Sequence, residues 1–135
     1  MEFADTDDRD TGLIHGELTE RVIRAFYAVY NELGPGFLES VYVSALSIAF
    51  AEQEISAERE APLVVRFRDQ IVGQFRADLF VEGRLIVEVK AVSALQRVHE
   101  AQLVNYLRAT RTQVGLLLNF GARPEVRRRV FQLHD

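Results

Sequence analysis

Cysteine is absent from the 135 residues, so no disulfide framework, thiolate metal site or cysteine nucleophile is available to this chain. Histidine is nearly absent. His15, His99 and His134 are scattered without ligand spacing, which argues against a zinc centre. No signal peptide and no apolar run of membrane-spanning length are evident, so a cytoplasmic protein with no membrane contact is expected. An excess of positive charge is missing as well: 16 Lys plus Arg against 20 Asp plus Glu leave a formal net charge of -4. That balance argues against a protein holding long nucleic acid by electrostatics alone. It leaves room for a site in which a metal and a few arginines handle phosphates. Lysine is the scarcest charge. Only Lys90 is present, and the other fifteen basic residues are arginines.

What is present describes one ordinary domain. Hydrophobic residues make up 48% and charged residues 27%, enough apolar material for a core without staples. The acidic opening MEFADTDDRD reads as a solvated, disordered arm, expected over residues 1–16, with the folded domain over 17–135. Apolar residues from Leu18 to Leu33 recur at helical spacing, and Gly34-Pro35-Gly36 ends that helix. A second helix is expected from about Leu38 to Glu52, with Glu39, Tyr42 and Leu46 on one face.

Three strands follow. Leu63, Val65 and Phe67 alternate with polar neighbours, Asp69-Gln70 forms a turn, and Ile71 to Val81 and Arg84 to Ala91 form the next two strands. Ser93 is a plausible N-cap for a helix through about Thr110, with Leu95, Val98, Leu103, Tyr106 and Leu107 buried. Gln113 to Phe120 is a near-continuous apolar run, a strand covered on both sides and able to lie parallel to an earlier one. The tail VRRRVFQL reads as a short edge strand, its three arginines solvated and discouraging edge pairing, with a phosphate-contacting patch as the lesser reading.

The stretch RADLFVEGRLIVEVK, Arg76 to Lys90, carries the chemistry. Glu88 and Lys90 are two apart in a strand and leave the same face. Charges inside a Val, Ile and Leu run are costly unless paired or bound to an ion. Turn length decides whether Asp78 joins them. A two-residue Glu82-Gly83 turn sets Asp78 and Glu88 on opposite faces, whereas a three-residue turn with Gly83 in the left-handed conformation sets Asp78, Ile86, Glu88 and Lys90 on one. We expect the second. Two carboxylates and an ammonium then gather at one spot, a donor set suited to Mg2+ or Mn2+. Lys90 itself admits two readings: a structural partner of Glu88, or a compact point charge for a phosphate or an attacking water.

This order of elements, with an acid and an E-x-K triplet on neighbouring strands, resembles the PD-(D/E)XK nuclease superfamily. Gly36-Phe37-Leu38-Glu39-Ser40-Val41-Tyr42 resembles the signature of its GxxExxY branch, and Gln102 with Tyr106 resembles the Q-x-x-x-Y motif of exonuclease branches. Ala77 stands where the superfamily's name has proline. The resemblance implies a restriction-endonuclease-like three-layer α/β/α core with a mixed sheet. It makes Asp78 and Glu88 metal-binding carboxylates, Glu39 a further acid from the helix, Lys90 the group acting on phosphate or water, and Gln102 a positioning residue braced by Tyr106. Glu39 and Gln102 are then expected to point to one spot from helices on the same side of the sheet. A nuclease acting on nucleic acid, DNA above all, is the first functional class, with a second copy of the chain as a further candidate partner. The second class is a catalytically silent binding or assembly module on the same fold.

Overall fold

The computed structural model describes residues 14–132. The acidic arm expected over 1–16 therefore lies almost wholly outside the described residues. Within them are helix α1 (Gly16–Leu33), helix α2 (Glu39–Glu52), strands β1 (Ala57–Phe67), β2 (Gln70–Val81) and β3 (Leu85–Lys90), helix α3 (Arg97–Thr110), and strands β4 (Val114–Phe120) and β5 (Pro124–Val130). The sheet follows chain order, β1-β2-β3-β4-β5. All neighbours are antiparallel except β3 and β4, which run parallel because α3 carries the chain back across the sheet. Among the described residues no helix is long and apolar enough to cross a membrane.

Alternation in the central strands creates two cores. Leu85, Val87 and Val89 of β3 join Leu116 and Leu118 of β4 under α1 and α2, together with Phe26, Tyr42, Leu46 and Phe50. Ile86 and Leu117 face the other way and meet Leu103 and Leu107 of α3. The result is a three-layer α/β/α arrangement around a mixed sheet, as expected. Gly115 lets α3 approach: a Cβ there would stand 2.8 Å from Leu103 Cδ1.

The loop between α1 and α2 is held by Tyr42. Its ring stacks on Phe120 with centroids 4.0 Å apart. Its hydroxyl donates to the Gly34 carbonyl at 2.5 Å and accepts the Phe37 N–H at 3.1 Å. This tyrosine fixes the chain entering α2, so Glu39 begins the helix at a set place.

Four local expectations change. The first hairpin turns at Arg68-Asp69, both in the left-handed region, with Phe67 paired to Gln70, one residue earlier than the turn at Asp69-Gln70. Helix α3 is capped by Gln96, not Ser93. The reason is that the preceding loop is already engaged: Asn119 holds both backbone groups of Val92 at 2.9 Å, and Glu125 accepts the Leu95 N–H at 2.9 Å. Val98 is 66% exposed, since the late start turns it outward. The arginines of β5 are not simply solvated. Arg127 and Arg129 both pair with Glu100 of α3, while Arg128 donates to the Ile14 carbonyl at 2.7 Å. Strand alternation sends them to opposite faces, where Arg127 and Arg129 tie the edge strand to α3 and Arg128 ties it to the turn before α1.

Candidate functional site

Strands β2 and β3 pair as Val81↔Leu85, Phe80↔Ile86 and Leu79↔Val87, which leaves residues 82–84 as a three-residue turn. The odd count expected for this hairpin is present. Gly83 has φ 66° and Glu82 φ 55°. A glutamate tolerates the left-handed conformation here because it is docked. Its N–H donates to the Ser56 carbonyl at 2.9 Å, and its carboxylate accepts the Ser56 N–H at 2.7 Å.

The next pair in this register would be Asp78 and Glu88, and there the backbone ladder stops. Side chains replace it. Glu88 Oε2 accepts the Asp78 N–H at 3.0 Å, and Asp78 Oδ2 accepts the Val89 N–H at 2.8 Å. Each carboxylate thus uses one oxygen to satisfy a backbone donor at the parting of the strands. The other oxygen of each has no hydrogen-bond partner among the described residues. The β1–β2 ladder is also interrupted here, between Arg59↔Leu79 and Ala61↔Ala77, where Glu60 takes φ 51°. Asp78 therefore lies at a break in both of its strand pairings.

Burial makes these charges expensive. Glu88 is only 8% exposed. Burial first, and the neighbouring Asp78 carboxylate second, push its carboxyl up to about 8 from an ordinary 4.5, against the lowering effects of the Asp78 N–H and Lys90. Asp78 is raised too, mainly by burial, with the Val89 N–H and Lys90 opposing and Glu60 adding to the rise. Lys90 is half-buried, faces Asn119 across the parallel pair, and makes no ion pair or hydrogen bond among the described residues. Its charge is felt by both acids without neutralising either by contact.

The donor set fits a hard divalent cation. Two opposed carboxylates, each with a free oxygen and no counter-charge in contact, match an ion that binds through one or two carboxylates and keeps several waters. Among the described residues no three acidic or histidine side chains converge to enclose an ion. Glu39 is not gathered with Asp78 and Glu88 into such a group, and its expected role as a further acid rests on the resemblance. It is exposed at the start of α2, and its charge is the weakest of those raising Glu88.

Helices α2 and α3 cover opposite faces, so Glu39 and Gln102 do not approach from one side. Gln102 is exposed and lines an open cleft of about 850 Å³ between α3 and the β1–β2 hairpin. Tyr106, one turn further on, also lines it, stacks on Phe75 with centroids 4.1 Å apart, and makes no hydrogen bond to Gln102. Burial and then the charges of Glu88 and Asp78 raise the Tyr106 phenol. The charges of both acids are thus felt at Tyr106, although neither acid lines the cleft itself.

Two supporting residues escaped the sequence reading. Asn119 is fully buried inside the near-continuous apolar run, and its amide also donates to Glu125 Oε1 at 2.8 Å. Bonds from Leu95 N–H and Asn119 hold the Glu125 carboxyl below its ordinary range. Together they anchor Val92, two residues past Lys90. The available signal was a lone amide in an apolar strand, which must find partners when buried.

Comparison with known proteins agrees with this architecture. The model of the PD-(D/E)XK nuclease superfamily matches residues 16–130, and the chain belongs to that superfamily. The fold is similar to the crystal structure of SSO0001, with a TM-score of 0.56 and 19% identity over 89% of this chain. This chain spans 60% of that one. No curated protein matches the sequence.

Proposed function

We propose that this protein is a divalent-metal-dependent nuclease of the GxxExxY branch, hydrolysing phosphodiester bonds of nucleic acid, with DNA the first substrate to test. The observation carrying this reading is the reciprocal Asp78–Glu88 arrangement, in which the half-buried Asp78 and the buried Glu88 each keep a free oxygen while Lys90 stands near and unpaired. Purely structural acids would be expected to have direct charge partners.

Asp78 and Glu88 would hold Mg2+ or Mn2+. When bound, the ion supplies Lewis acidity toward phosphate oxygens and lowers the pKa of water. Lys90 directs positive charge to the phosphate, where negative charge grows in the transition state. Because no acidic side chain contacts it, that charge is available to substrate. Gln102 orients the substrate strand from the cleft, with Tyr106 held in place by Phe75. Glu39 acts as an outer acid rather than a direct ligand.

Cleavage of single- and double-stranded DNA and RNA with Mg2+ or Mn2+ tests the proposal. Asp78→Asn should abolish cleavage and weaken ion binding. Wild-type turnover by that variant would refute it.

A further inference from the structure

The hairpin of β1 and β2 runs well past the sheet, because β3 pairs with β2 only over Leu79, Phe80 and Val81. The cleft lies between this two-stranded ribbon and α3. Its lining is basic in an acidic protein: Arg66 comes from the ribbon, and Arg108 and Arg111 from the end of α3. All three are exposed, and none makes an ion pair among the described residues. Arg127 and Arg129, by contrast, are committed to Glu100. A bulge opposite Arg66 leaves Val72 of β2 out of the register, and Val64, Val65 and Arg66 of β1 line the cleft.

We propose that this cleft is a binding groove for a single nucleic-acid strand, with Arg66, Arg108 and Arg111 gripping its phosphates and leading it past Tyr106 to the Asp78–Glu88 site. The inference rests on the nuclease reading for its destination, but the groove is defined by its own residues. Guanidiniums without an acid partner along a channel suit a phosphate chain, since each offers a fork of donors matched to phosphate oxygens; Arg108 has one donor engaged, with Asn105 Oδ1 at 3.5 Å. Apolar and aromatic walls from Val64, Phe75 and Tyr106 suit base faces. The volume of about 850 Å³ is that of a site for a small ligand or a few linked groups, not for a duplex.

Binding is tested without turnover, on the full chain in chelator, by fluorescence anisotropy with short oligothymidylate and oligouridylate, using a hairpin duplex as competitor. Three phosphate contacts on a single strand predict a salt slope of about -2, or roughly fifteen-fold weaker binding between about 50 and about 200 mM salt. The triple variant Arg66→Gln, Arg108→Gln, Arg111→Asn should weaken binding by about tenfold or more and flatten that slope. Asn is chosen at 111 because that residue has φ 54° and Asn tolerates the left-handed region. Arg24→Gln, on the exposed face of α1, should bind as wild type. Asp78→Asn should retain strand binding, which separates the groove from the catalytic reading. Wild-type affinity and slope in the triple variant would overturn the groove and leave the arginines as ordinary surface charges. A duplex that displaces the probe as well as an unlabelled single strand would overturn the single-strand assignment. Strand binding through these arginines with no cleavage under any metal would preserve the groove and refute the nuclease.

Discussion

Glu88 gives the most direct physical test of the site, because its charge is opposed by the fold that holds it. With a folded-state pKa of about 8 against an ordinary 4.5, the carboxyl binds its proton more tightly in the native state than in the unfolded one. Native stability from this group is therefore fully present below pH 4.5 and is lost as pH rises through about 8. The difference corresponds to up to about 5 kcal/mol, a large part of the stability of a domain this size. Glu88→Gln removes the titrating group while its amide oxygen can still accept the Asp78 N–H. In chelator, urea unfolding of wild type should weaken steadily between about pH 5 and about pH 9, while the variant's should change much less. At the alkaline end Glu88→Gln should be the more stable protein. Saturating Mn2+ should reverse the order by stabilising wild type, and ion binding near pH 7 should release about one proton, measured by calorimetry in buffers of different ionisation enthalpy. Parallel stability profiles for the two proteins would refute the claim that Glu88 is an uncompensated buried acid.

Lys90→Ala should abolish cleavage while leaving Mn2+ affinity unchanged or improved and the melting temperature nearly unchanged, since Lys90 has no ion pair or hydrogen bond to lose among the described residues; Lys90→Arg should not restore activity. A large loss of stability in Lys90→Ala would instead identify a structural ion pair. Asn119→Leu should cost about 3 kcal/mol by stranding the backbone groups of Val92, read by chemical denaturation, and should lower activity by loosening the chain after Lys90. Tyr42→Phe keeps the stack on Phe120 but loses two hydroxyl bonds. It should cost about 1 to 2 kcal/mol and retain cleavage, which would make the tyrosine of the GxxExxY pattern a brace and not a catalyst.

The contrast between what could and could not be read from the chain follows the range of the forces involved. Local patterns carried the hairpin, since a glycine after Glu82 and charges at Asp78, Glu88 and Lys90 admit one turn parity that gathers them. Ser93 looked like a cap because its alternative was nonlocal: Asn119 and Glu125, more than twenty residues away, had already taken the backbone of that loop. Glu39 and Gln102 were placed on one side because helical spacing orders residues on a helix but says nothing of which face of the sheet the helix will cover. The arginines of the cleft come from two elements that only folding makes adjacent. The site itself joins both kinds of information. Asp78 and Glu88 are legible as charges in an apolar run, and in the fold those charges help end the β2–β3 ladder, because a carboxylate oxygen replaces the backbone acceptor at each of the next two N–H groups. The strands part where these two side chains meet, so a residue pattern unfavourable to a continuous sheet is also what leaves one oxygen of each carboxylate without a partner among the described residues, the feature on which the proposed ion site rests.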